Sequence, residues 1–326
     1  MQTNDNDSNA KPQRNAVVEL ARFIFALWIL VYHGFVPINL NGYLNNGYLG
    51  VEFFFILSGC LFVRSAKKHT AAYKERHAND SISGKPKALL KEIAITYPTF
   101  IWRKVKSMCP ILIVGLAFST WYSFIAGTGD IWGFLWFIRS LLIAYTLFFI
   151  IYRFVKAQRF WGVFAFAALI GYHVLDFYGL PGFELRTFSC VALGIFIAQL
   201  PKLSGFEKTK RFVFPLFLVV AASVTALMTV QKSNPDILNY LLILDLGLLV
   251  YFAFQIELKI PILPQIFIYL GSLSWGMYAF QNVVRVIRDF HSEAGTAWLF
   301  FAIIAMCIAS SREPLFKRQN KIAAPL

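Results

Sequence analysis

Apolar runs about as long as a bilayer is thick recur along the whole chain, and the first, VVELARFIFALWILVYHGFV at residues 17–36, sets the terms for any fold. A hydrocarbon core about 30 Å thick takes roughly 20 residues of helix, and within it the backbone must satisfy its own hydrogen bonds. Ten runs approach that length: 17–36, 48–65, 108–126, 131–152, 160–178, 185–200, 211–230, 237–256, 265–284 and 296–311. The expected fold is therefore all-α, a polytopic membrane protein of about ten transmembrane helices. Only 15% of the residues are charged against 58% hydrophobic, too apolar for an ordinary soluble domain.

A net charge of +14 would suggest nucleic acid in a soluble protein. Here topology accounts for it. With the N-terminus inside, 25 of the 31 Lys and Arg residues fall in segments on the cytoplasmic side, and only Lys232, Arg285 and Arg288 fall in outer loops. Both termini are expected to be cytoplasmic, and no nucleic-acid partner is implied. Residues 1–16 have no apolar region of the kind a cleavable signal peptide carries and are expected to form a disordered cytoplasmic tail. Residues 17–311 form the transmembrane domain in this reading, and residues 312–326 a cytoplasmic C-terminal tail. The longest loop, 66–107, is cytoplasmic, and its second half, KALLKEIAITYPTFIWRKVK, mixes cations with large apolar residues as an interfacial helix on an anionic surface would. Cys60, Cys109, Cys190 and Cys307 are widely spaced, which reads as free thiols rather than a metal set. There is no internal repeat, no Gly-rich nucleotide loop, no HExxH and no GxSxG.

The first run also carries Arg22 and His33. A charged residue at the bilayer centre costs about 2.5–3.5 kcal/mol on insertion scales, so buried ionisable residues are functional candidates by default. Arg22 and His33 are eleven residues apart, about three helical turns, which sets them on one face some 16 Å apart along the axis. They are too distant to pair. Arg22 has a simpler alternative, a salt bridge to Glu19 one turn earlier. The second run, GYLGVEFFFILSGCLFV, sets Glu52 near its start and follows it with the small pair Ser58-Gly59, which allows close helix approach. A loop of about eleven residues makes the two runs antiparallel neighbours and puts Glu52 at a depth similar to His33. A carboxylate there orients an imidazole and raises its basicity. Arg139 in the fourth run and Asp245 in the eighth are further intramembrane charges, open to two roles, serving a site or pairing with each other.

The Arg-x10-His pair followed by GVEFFFILSG resembles the acyltransferase-3 family of integral membrane O-acyltransferases. FIWRKVKSMCP, LWFIRSLLIAY and GSLSWGMYAFQ extend the resemblance over most of the chain. Two positions depart from the family pattern: Gln281 stands where many members have His, and Ser107 where a further basic residue is common. The chain resembles the stand-alone type, without a fused hydrolase-like domain. The resemblance implies transfer of an acyl group, commonly acetyl, from cytoplasmic acyl-CoA to a hydroxyl of a cell-envelope sugar or lipid-linked glycan, in a bacterial inner membrane and without a metal. His33 would act as base or acyl carrier, Glu52 would orient it, and Arg22 would attract donor phosphate or stabilise oxyanion charge. Arg103, Lys104 and Arg139 would bind the donor. A glycan or small-anion transporter, with the same buried charges lining its path, is the alternative. The motifs and the missing repeat symmetry favour the enzyme.

Overall fold

A computed structural model describes residues 14–32, 47, 50–76, 86–126, 136–180, 182–202, 207–229, 235–256, 258, 260 and 262–290. Among them the regular structure is helical, with nine α-helices: α1 Ala16–Tyr32, α2 Gly50–Arg76, α3 Pro86–Ala126, α4 Trp136–Phe154, α5 Gln158–Phe177, α6 Phe183–Ile197, α7 Glu207–Thr229, α8 Pro235–Gln255 and α9 Leu263–Phe290. The tenth expected run, 296–311, lies outside the described residues, as do residues 1–13 of the expected N-terminal tail and the whole C-terminal tail.

The helices alternate in direction. Phe25 of α1 stacks on Phe53 of α2 with ring centroids 4.2 Å apart, and Gly50 lies against Ile29, so these two are antiparallel. Phe55 meets Phe137 and Phe62 meets Tyr145, which sets α2 and α4 parallel. Ser189 of α6 bonds the Ala165 carbonyl of α5, and Leu185 meets Gly171, the antiparallel register of a hairpin. This is the up-and-down order of a polytopic bundle. α4 and α5 are long and apolar enough to cross a membrane, and α7 and α8 contain shorter apolar stretches, Phe212–Leu227 and Tyr240–Gln255. The outward residues are apolar too: Val163, Phe166, Phe177, Val219 and Leu244 are exposed. An exposed apolar surface of this extent suits lipid rather than water.

Local chemistry sets the helix ends that matter for the site. The Asn15 side chain caps α1 by accepting from the Val18 N–H at 3.0 Å, and its amide donates to the Ile256 carbonyl. At the end of α5, Gly179 adopts φ 67°, its N–H bonds the Asp176 carbonyl, and the Leu180 N–H reaches back to Leu175 at 2.8 Å. That pair of bonds is a Schellman termination, and glycine is the residue that takes its left-handed position without strain. The chain then turns directly into α6, which brings the first turn of α6 beside the last of α5.

The expected loop at 66–107 differs most from the structure. α2 continues to Arg76, and α3 is one continuous helix of 41 residues, with no separate interfacial helix ending before a span at 108. Its first part packs along α4 rather than standing apart from the bundle. Arg153 and Glu92 form a buried ion pair at 2.8 Å, the Tyr97 hydroxyl lies 2.8 Å from that of Thr146, and Phe100 is fully buried against Phe62, Tyr145 and Phe149. The cations that suggested a membrane surface are partly used up in these contacts: Lys104 sits over the rings of Phe100 and Tyr145, at 5.6 and 5.0 Å.

Candidate active site

Glu52 lies in the first turn of α2 and is 1% exposed. A lone carboxylate so deep in an apolar bundle would be untenable. Its partner comes from α6. The Arg186 Nε donates to Glu52 Oε1, and Nη2 makes ion-pair contact with the same oxygen. The Tyr172 hydroxyl of α5 is within hydrogen-bonding reach of the same guanidinium. Glu52, Tyr172 and Arg186 thus join α2, α5 and α6. Oε2 of Glu52 and Nε1 of Trp28 in α1 are both buried and have no hydrogen-bond partner among the described residues.

Glycine makes this pairing possible. Seven residues after Glu52, Gly59 crosses Gly194 of α6, where a Cβ on Gly59 would collide with the Val191 carbonyl and lie 3.0 Å from the Gly194 Cα. Cys60 donates its thiol to the Gly194 carbonyl at 3.2 Å. The small pair at Ser58-Gly59 therefore does what its composition suggests, and its counterpart is Gly194. Backbones that close hold Arg186 within reach of Glu52 about two helical turns from the crossing.

The other expected residues divide into those seen with partners and those not described. Arg22 donates from one nitrogen to both oxygens of Glu19, at 3.1 and 2.8 Å, the salt bridge that its spacing allowed. Glu19 in turn lies against Gly271 of α9, whose sequence GSLSWGMYAFQ belongs to the recognised pattern. His33 follows the last residue of α1 and lies outside the described residues, so its relation to Glu52 is not observed. The Gln281 side chain also lies outside the described set, although α9 continues through that position.

Arg139 corrects an expectation. It does not pair with Asp245; it binds Glu184 of α6 at 2.7 Å, while Asp245 accepts from Ser223 of α7 at 2.6 Å. The reason is register: α4 lies beside the start of α6, whereas Asp245 on α8 faces α7. Arg139 is 56% exposed at the end of the bundle that also holds Glu52, and Arg103 is exposed beside Trp102 on α3. Lys104 lies over the rings of Phe100 and Tyr145. Arg186, at the start of the sixth apolar run, is a residue that sequence alone left without a role. The signal available was an uncompensated arginine at the start of an apolar run, GFELRTFSCVAL, together with an equally uncompensated Glu52.

Among the described residues the fold is a helical bundle with buried charge pairs and an apolar exterior, two of whose helices are long and apolar enough to cross a membrane. A family model described as an acyltransferase domain matches residues 15–311, and the chain belongs to this acyltransferase-3 family of membrane-integral acyltransferases. No curated protein and no solved structure matches the chain.

Proposed function

We propose that this membrane acyltransferase is an O-acyltransferase of the bacterial inner membrane. It moves an acetyl group from cytoplasmic acetyl-CoA to a hydroxyl of a cell-envelope sugar or lipid-linked glycan, with His33, Arg22 and Glu52 as its catalytic residues. In this reading the imidazole of His33 takes the proton of the acceptor hydroxyl. The oxygen attacks the thioester carbonyl, the new C–O bond forms as the C–S bond breaks, and CoA leaves as the thiol after receiving a proton. Glu52 orients the imidazole and balances its charge. Arg22 stabilises negative charge on the donor side. Arg103 and Lys104 meet the donor phosphates from the inner face, and Arg139 lies toward the acceptor end.

The observation that carries the reading is the family match across residues 15–311, which favours acyl transfer over a transporter. Packing supports the site. Gly47 lies against Trp28 and Gly50 against Ile29, so the start of α2 meets the last turn of α1, the turn that leads to His33. Glu52 follows two residues after Gly50, with one carboxylate oxygen uncommitted.

Structural analysis of envelope glycans and glycolipids from cells with and without the protein tests the proposal. Loss of one acetyl ester names acceptor and acyl group together; an unchanged ester pattern contradicts the proposal.

A further inference from the structure

Two cationic nitrogens of Arg186 engage a single carboxylate oxygen of Glu52. A guanidinium fork is usually matched to both oxygens of a carboxylate, each N–H taking its own acceptor. Here Oε1 takes Nε and the Nη2 contact together, while Oε2 has no donor among the described residues although it is buried. A bridge serving only to hold α2 to α6 would satisfy the carboxylate fully, since an unmatched buried acceptor costs stability. The crossing at Gly59 and Gly194 already fastens those two helices, and Tyr172 holds the guanidinium from a third. Arg186 therefore has a fixed seat of its own, and what it fixes is the rotation of the Glu52 carboxylate.

We propose that Arg186 is a positioning residue for acyl transfer: by gripping Oε1 from α6 it keeps Glu52 turned so that Oε2 is free to accept a hydrogen bond from the reacting imidazole or hydroxyl. This rests on the function proposed above. It adds a residue that lies outside the motifs by which the chain is recognised and that acts only through Glu52.

The test uses the full chain, purified and reconstituted in phospholipid vesicles, with radiolabelled acetyl-CoA as donor and envelope membranes from cells lacking the protein as acceptor source. Three proteins are compared: wild type, Arg186→Lys, and the exchange Glu52→Arg with Arg186→Glu. Arg186→Lys retains the charge but not the two-nitrogen grip. The exchange retains a buried pair across the same helices but moves the carboxylate to α6. The expected result is that both variants are recovered with thermal midpoints near wild type. Arg186→Lys should lose at least tenfold in kcat with its KM for acetyl-CoA within twofold of wild type, and the exchange should lose at least a hundredfold. Either variant transferring label at more than half the wild-type rate overturns the inference, since the pair would then be a helix fastening alone. Failure of both variants to yield folded protein also overturns it, because a positioning residue must be separable from the fold. A wild-type protein that transfers no label sinks the proposed acetyl-CoA reaction itself, a result distinguishable from either of these.

Discussion

Arg186 and Glu52, 134 positions apart in sequence, form an ion pair between the first turns of α6 and α2. Both side chains are almost completely buried, and the glycine crossing about two turns further on fixes the spacing between their helices. Removing one member of such a pair strands a charge in the apolar interior, which typically costs about 3–5 kcal/mol. Arg186→Ala should therefore lower the yield of folded protein and its thermal midpoint sharply, and Glu52→Ala likewise. The double variant should be more stable than the sum of the two losses predicts, because no charge is left stranded. Thermal unfolding of the four proteins in one detergent checks this; additive losses would show that the pair is not coupled.

The glycine crossing makes a second prediction with an internal control. A methyl on Gly194 would meet the backbone of α2 at Ile56 and Gly59, which cannot yield without moving a helix. Gly194→Ala should cost about 1–3 kcal/mol, as overpacking does. Gly247→Ala brings its methyl against the side-chain tips of Ile197 and Leu193 at 3.2 Å, which can give way, and should cost much less. Equal midpoints for the two variants would contradict the tight crossing.

Arg103 and Lys104 separate into different roles. Arg103 is exposed beside the exposed Trp102, so Arg103→Ala should raise the apparent KM for acetyl-CoA severalfold and leave the thermal midpoint unchanged. Lys104 lies over two rings, a contact worth about 0.5–1 kcal/mol or more when desolvated, so Lys104→Ala should lower the midpoint as well. Donor titrations and thermal unfolding on each single variant check the division.

Arg22 is held by Glu19 through two short bonds, which fixes where its guanidinium stands. Arg22→Ala should abolish surface acylation. Glu19→Gln leaves the cation but replaces a charge-assisted contact with a neutral one about half as strong, and should reduce acylation by about tenfold with normal membrane levels. Ester release from whole cells measures both; full acylation by Glu19→Gln would show that Arg22 needs no positioning from Glu19.

What the sequence disclosed follows what is local in it. The apolar runs locate α1, the starts of α2 and α9, and α4 to α8 to within about five residues, because burial in lipid demands uninterrupted apolar length; α2 and α9 continue past their runs. The small pair at Ser58-Gly59 and the Arg22–Glu19 spacing are local signals too, and both correspond to contacts. α3 was not legible, because its cations read as a surface face until Glu92, Tyr97, Phe100 and Lys104 are seen with their partners on α4. The partner of Glu52 was hidden for the same reason: nothing within reach along the chain points to Arg186, and only the packing of α2 on α6 brings it there. Arg139 shows the converse error, since two uncompensated charges at span level invite pairing, yet its register places it on Glu184.

The most direct test of the whole account is a measurement on His33, the residue on which the proposed chemistry turns. Cells lacking the protein are complemented with wild type or with His33→Gln, which keeps hydrogen bonding but loses basicity, and base-labile acetyl ester on the envelope is quantified after both proteins are shown to reach the membrane equally. Wild type should restore the ester and His33→Gln should restore none. Wild-type ester from well-expressed His33→Gln would contradict the proposed chemistry.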